Sequence, residues 1–279
     1  MVQHSHIRQL PVKLKNFVFP CWRITAVISQ IPMMFAIFAV IISLAQNVMS
    51  LPVTDDLTRS TRVAPEGPEF WIKPCGFTVT GSEPPEPDFV LAENYALQLG
   101  VDLSYVNNWK ENFCQDKFRM SFDAKVAEDA PFRYDWLQVS TTIPKKPSES
   151  LSATYYSQEE FSAMLTESSN IFQRLAVGWE QVDYEKTDAS YKDLFTSTKN
   201  RMKNTLCQLD YYLAEKRMSP APNPTRAIMP TELRTITSAS QRDERNFRIL
   251  KEYVNAIEYY ADGFNYFKTS LSSKMESSL

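Results

Sequence analysis

Four cysteines and two histidines are the side chains with which this 279-residue chain could do chemistry, and their positions exclude most of it. His4 and His6 both lie at the amino terminus, ahead of an apolar run from Ile31 to Leu44. With no histidine elsewhere there is no Ser-His nucleophile pair and no zinc set of ordinary ligand spacing. The glycines at 67, 76, 81, 100, 178 and 263 stand alone and never form a phosphate-cradling loop. Glu83, Glu86 and the adjacent Glu159 and Glu160 suit solvation and helix capping better than acid-base work. No catalytic residue, metal or cofactor is expected. The cysteines remain, and what they do depends on compartment.

Residues 1–45 carry Arg8, Lys13, Lys15 and Arg23 and no acid, then the apolar run, then Ser43-Leu44-Ala45 before Gln46. A basic flank, a short apolar stretch and a small-residue exit together describe a secretory signal peptide. The alternative is an uncleaved anchor counted from Ile24, although Gln30 and Pro32 interrupt that longer count. Cleavage removes those four bases, so the formal charge of −3 becomes −7 for residues 46–279. A mildly acidic exported domain has no electrostatic reason to bind nucleic acid, and after cleavage nothing ties it to a membrane. Cys21 leaves with the signal. Cys75, Cys114 and Cys207 then sit in an oxidising compartment, where two can pair and one is left over.

Four amphipathic helices must position whatever this chain presents. Residues 46–87 are rich in proline and glycine and form an extended leading segment. Ala92, Tyr95, Leu99, Leu103, Val106, Trp109 and Phe113 then repeat at helical spacing, giving a first helix over about 88–113. A second spans about 157–183, opened by Ser157 and Glu160 as a capping box. The third covers about 190–217. Cys207 falls off its apolar stripe, so a Cys75–Cys207 bridge is the expectation and Cys75–Cys114 the alternative.

The last helix, about 241–271, has its stripe at Phe247, Leu250, Val254, Ile257, Ala261, Phe264, Phe267 and Leu271. Ser240 and Asp243 are placed to cap its start. Its wet face is expected to hold Arg245, Arg248, Lys251, Glu252, Asn255, Glu258, Asp262 and Asn265. The connections are about 43, 8 and 23 residues long. The two long ones can each travel the length of a helix and the short one cannot. The fold expected for residues 88–279 is therefore all-α, a four-helix bundle with up-up-down-down topology.

The run Phe247-Arg248-Ile249-Leu250-Lys251-Glu252, followed by Phe264-Asn265-Tyr266-Phe267-Lys268, resembles the fourth helix of cardiotrophin-like cytokine and ciliary neurotrophic factor. Those belong to the interleukin-six group of long-chain helical cytokines. The resemblance covers roughly twenty-five residues and is weaker elsewhere. It implies a secreted, non-catalytic ligand that clusters single-pass cytokine receptor ectodomains and triggers JAK/STAT-type signalling. In the family one face uses the exposed sides of the first and third helices, and another the start of the fourth helix with a nearby loop. Where several members open that helix with phenylalanine and a lysine three residues on, this chain has Ala239-Ser240-Gln241-Arg242. Arg242 supplies the cation, and the aromatic is missing.

The candidate receptor contacts are Arg242, Arg248, Lys251, Tyr259 and Tyr266 on the last helix, with Trp136 from the aromatic cluster in the first crossover. Two other functions fit the same elements. A secreted helical carrier of an apolar ligand requires an internal cavity, and a signal-anchored extracellular structural protein requires an uncleaved amino terminus.

Overall fold

The structure, a computed structural model, describes residues 65, 67–81, 84–185 and 189–277; the expected signal peptide, with His4, His6 and Cys21, lies outside them. The described residues fall in one unit, Ser60–Leu279. Their regular structure is entirely helical, so the fold is all-α. In chain order the helices are α1 (Asp88–Asn107), α2 (Lys110–Phe118), α3 (Phe122–Glu128), α4 (Val139–Thr142), α5 (Ala153–Tyr156), α6 (Phe161–Glu185), α7 (Lys192–Glu215), α8 (Thr231–Arg234) and α9 (Ala239–Glu276). At 38 residues α9 is about 57 Å long. Among the described residues no helix is long and apolar enough to cross a membrane.

Three helix ends differ from the sequence reading, each for a local reason. The first helix breaks at Asn108 and resumes as α2 at Lys110, with Trp109 between them out of helical conformation and its indole side chain buried. That ring packs against Phe113, Trp179 and Phe195. Ser157 is no capping box: it closes α5, and its hydroxyl donates backward to the Thr154 carbonyl at 2.8 Å. At the start of α9 Ser240 lies inside the helix, its hydroxyl paired with that of Ser238 at 3.0 Å.

Aromatic contacts set how the long helices meet. Tyr95 on α1 touches Phe264 on α9 at 4.8 Å and Tyr212 on α7 at 5.7 Å. Farther along, Phe118 and Phe122 meet Phe247 at 5.5 and 5.9 Å, and Trp109 meets Phe195 at 6.0 Å. Residue numbers therefore rise along α1 and α2 while they fall along α9 and α7. The same holds for α6 against α9, where Phe161 meets Phe267, Trp179 meets Tyr253 and Glu185 meets Arg245. It holds again for α6 against α7, where Asp183 accepts from Thr196 near the start of α7 while Gln173, earlier on α6, donates to Asn223 past the end of α7 at 2.9 Å. Each such ring pair contributes about 0.5–1.5 kcal/mol beyond the area it buries.

The leading segment is fastened to α7 and to the second crossover. Cys75 and Cys207 lie at disulfide-bonding distance, 2.03 Å, as expected, and Cys114 is a free thiol. Burial pushes the Cys114 thiol up to about 12, which keeps it unreactive at neutral pH. Trp71 is buried and donates its indole N–H to the Pro224 carbonyl at 2.7 Å. Arg226 grips Glu180 with two hydrogen bonds of 2.5 and 2.7 Å and also reaches the Gly67 carbonyl. At Gly81 the segment approaches α7 so closely that a Cβ would lie 2.9 Å from the Ala214 carbonyl oxygen.

Candidate binding surface

The first crossover does more than link helices: it lies across α9 as a strap and is bonded down at two points. Asp129 accepts from Lys251 at 2.8 Å and from Arg248 at 2.9 Å. Farther along the strap the Lys145 ammonium reaches Glu258 at 2.8 Å, while Asn255 donates to the Lys145 carbonyl at 2.9 Å. The face of α9 expected to be wet is therefore corrected over its first half. Arg245, Lys251, Glu252 and Asn255 are buried, Arg248 and Glu258 are half-buried, and Asp262 and Asn265 stay exposed. The hydrophobic period marks one covered face correctly; it carries no information about a loop that covers the other.

Arg248 and Trp136 belong to one cluster. The Arg248 guanidinium lies 4.6 Å from the Phe132 ring centre and 5.6 Å from that of Tyr134. Tyr134 stacks on Trp136 at 5.9 Å, and Arg174 donates to the Trp136 carbonyl at 2.9 Å. Burial opposes the charge on Arg248, but the hydrogen bonds and charges of Asp129 and Tyr134 together outweigh it and hold the pKa above the ordinary value. The exposed member is Phe132, at 54%. Lys251 shares Asp129 with this cluster from beneath and is 6% exposed, too covered to be an outward contact.

The other candidates lie elsewhere on α9. Arg242 holds the turn before the helix, donating to the Ile236 and Thr237 carbonyls at 3.3 and 2.6 Å. Tyr259 is 2% exposed, so its expected role as an outward receptor contact is corrected. Burial raises its pKa, and its hydroxyl pairs with that of Tyr155 at 3.4 Å. Tyr266 is half-buried and stacks on Tyr156 at 6.3 Å. Tyr156 thus joins Tyr259 and Tyr266 into a group separate from the Arg248 cluster.

An exposed apolar pair went unread in the sequence. Leu97 is 67% exposed and Val101 47%, one turn apart on α1 and opposite its buried stripe. Together with Gly100 and Asn265 they line a groove of about 520 Å³ between α1 and α9. The Glu93–Lys268 ion pair, at 2.6 Å, stands at its edge. An apolar i, i+4 pair off the stripe was the available signal. No protein-family model, curated protein or solved structure matches the chain.

Proposed function

We propose that this chain is a secreted helical cytokine that brings single-pass receptor ectodomains together and so triggers JAK/STAT-type signalling. One observation carries the reading: α1 and α6 each run against both α7 and α9 in their side-chain contacts. Two long helices that oppose the same two partners share a direction, which supports the up-up-down-down order we propose. Joining parallel helices requires the long crossovers this chain has, and helical cytokine bundles are built that way. The core between these helices is filled by rings such as Trp179, Phe172, Tyr253 and Phe264, which supports a rigid ligand more than a carrier.

Two outward surfaces serve receptors in this proposal. One is the Phe132, Tyr134, Trp136 and Arg248 cluster, where aromatic and arginine side chains coincide as they do at interface hot spots. The other is the Leu97 and Val101 groove. It lies between α1 and α9, whereas the family resemblance points to the first and third helices. Large apolar side chains exposed beside a charged rim are what a docking surface requires.

The test is signalling by purified residues 46–279 on cells carrying candidate class I cytokine receptors, read as STAT phosphorylation. Phosphorylation on at least one receptor supports the reading, and none on any, with no ectodomain binding, overturns it. Leu97→Asp with Val101→Asp is expected to raise the half-maximal dose about tenfold or more, since a lost hot spot costs about 2 kcal/mol. Unfolding free energy should move by no more than about 0.5 kcal/mol per site, because both side chains already face solvent.

A further inference from the structure

The same strap that covers α9 leaves the Glu252 carboxylate beneath it without a hydrogen bond among the described residues. A cleft of about 280 Å³ opens between α3, the strap and α9, with Glu252 among its lining residues. The Glu252 side chain is 8% exposed, and its nearest cation, the Lys251 ammonium, is 3.8 Å away. That ammonium is committed elsewhere, to the Asp129 carboxylate, the Asp129 carbonyl and the Phe132 carbonyl. The Lys145 ammonium is likewise spent on Glu258, Asn255 and the Lys146 carbonyl. Arg133, also lining the cleft, donates to the Ser140 carbonyl at 3.3 Å. A carboxylate whose side chain is nine-tenths covered, with no protein hydrogen bond among the described residues, has lost much of its hydration, so a cation entering from the cleft would gain a counter-charge there.

We propose that this cleft receives the side chain of a lysine or arginine from a partner protein, with Glu252 as its counter-charge. The cleft supplies both halves of such a recognition. Val126, Ile143, Pro144 and Pro147 offer apolar wall for a methylene stem, and Glu252 waits for the charged tip. A metal ion is a poor occupant, because among the described residues no three metal-ligating side chains come together. The assignment stands apart from the receptor reading, because its test uses no receptor and either can fail alone.

Burial raises the Glu252 pKa; Lys251 and Arg133 lower it, and Asp129 raises it. Lys145, Lys146 and Glu149 are the other charged groups lining the cleft. Protonation removes the counter-charge, so occupancy by a cation weakens as pH falls through that raised value.

The experiment titrates the folded protein with four probes and follows backbone amide resonances of residues 133–147 and 251–255. The probes are n-butylammonium, n-propylguanidinium, n-butanol, and lysine capped as an acetyl methylamide. Both cations are expected to bind at least tenfold more tightly than butanol, and capped lysine as tightly as butylammonium. Glu252→Gln should bring the cations down to the level of butanol while leaving the melting temperature unchanged or higher. Equal binding of butanol, or cation binding that survives Glu252→Gln, overturns the proposal. Capped lysine binding tenfold more weakly than butylammonium limits the cleft to free small amines and overturns the partner side chain. Should the variant not fold, the carboxyl ¹³C resonance of Glu252 in the native protein decides, and it must move with butylammonium and stay with butanol.

Discussion

Replacing Arg245 by alanine is expected to remove about 3–4 kcal/mol of unfolding free energy, a loss on the scale of a large part of a domain's stability. Arg245 has no exposed surface. Its guanidinium spans the ends of two helices, donating to both oxygens of Glu185 at 2.7 Å and to the Leu233 carbonyl at 2.9 Å. Removing it strands the Glu185 carboxylate, its side chain 3% exposed, with Gln181 as its remaining close donor at 2.8 Å. The cost arises from that stranded charge more than from the lost attraction, since a buried pair gains little over well-packed apolar groups. The double substitution Arg245→Met with Glu185→Leu is therefore expected to recover most of the loss. Denaturant unfolding followed by both fluorescence and far-ultraviolet dichroism measures each variant. A loss under about 1 kcal/mol for Arg245→Ala would mean that Arg242, whose Nε stands 3.9 Å from Glu185, swings in as a replacement.

Arg245 also shows where the sequence stops being legible. The 3.6-residue period locates the stripe of α9 through Phe247, Val254 and Phe264 because those side chains meet other helices. On period alone Arg245 and Lys251 belong to the wet side. What buries them is Asp129, Phe132 and Leu233, residues of the two crossovers whose approach depends on how long connections settle after the helices have packed. Tyr259 is hidden by the same kind of cause, the short α5 carrying Tyr155 and Tyr156. The all-α class and the pairing of Cys75 with Cys207 were readable because each rests on a local signal, stripe spacing in one case and an off-stripe cysteine in the other. Within the candidate surface, Trp136 and Arg248 were found by residue type. Glu252 was found only by its lack of a hydrogen bond, which no sequence displays.

Serine at both positions 75 and 207 is expected to cost about 3–5 kcal/mol, the second large effect. The bridge closes a loop of 132 residues, and chain-entropy arithmetic puts the stabilisation from so long a loop near 5 kcal/mol, with native-state effects reducing it. Each single substitution should cost nearly as much as the double one, because either removes the same bond. Reductant on the native protein should reproduce the effect. A non-reduced peptide map should join Cys75 to Cys207 and leave Cys114 unlabelled until denaturant is added, since that thiol is fully covered. Finding Cys114 in the bridge instead would overturn both the pairing and the loop arithmetic. Trp71 supplies the local readout. It is 1% exposed against the second crossover, with Arg226 spanning Glu180 and Gly67 beside it. Cutting the bridge leaves the segment to non-covalent contacts, among them the indole bond to Pro224, the Arg226 contacts and the Glu86 N–H to the Glu215 carboxylate at 3.1 Å. Tryptophan fluorescence should therefore shift to the red at lower denaturant than the loss of helix, separating release of the leading segment from melting of the bundle. If the two transitions coincide in the double variant, the segment is held by those polar contacts without help from the disulfide.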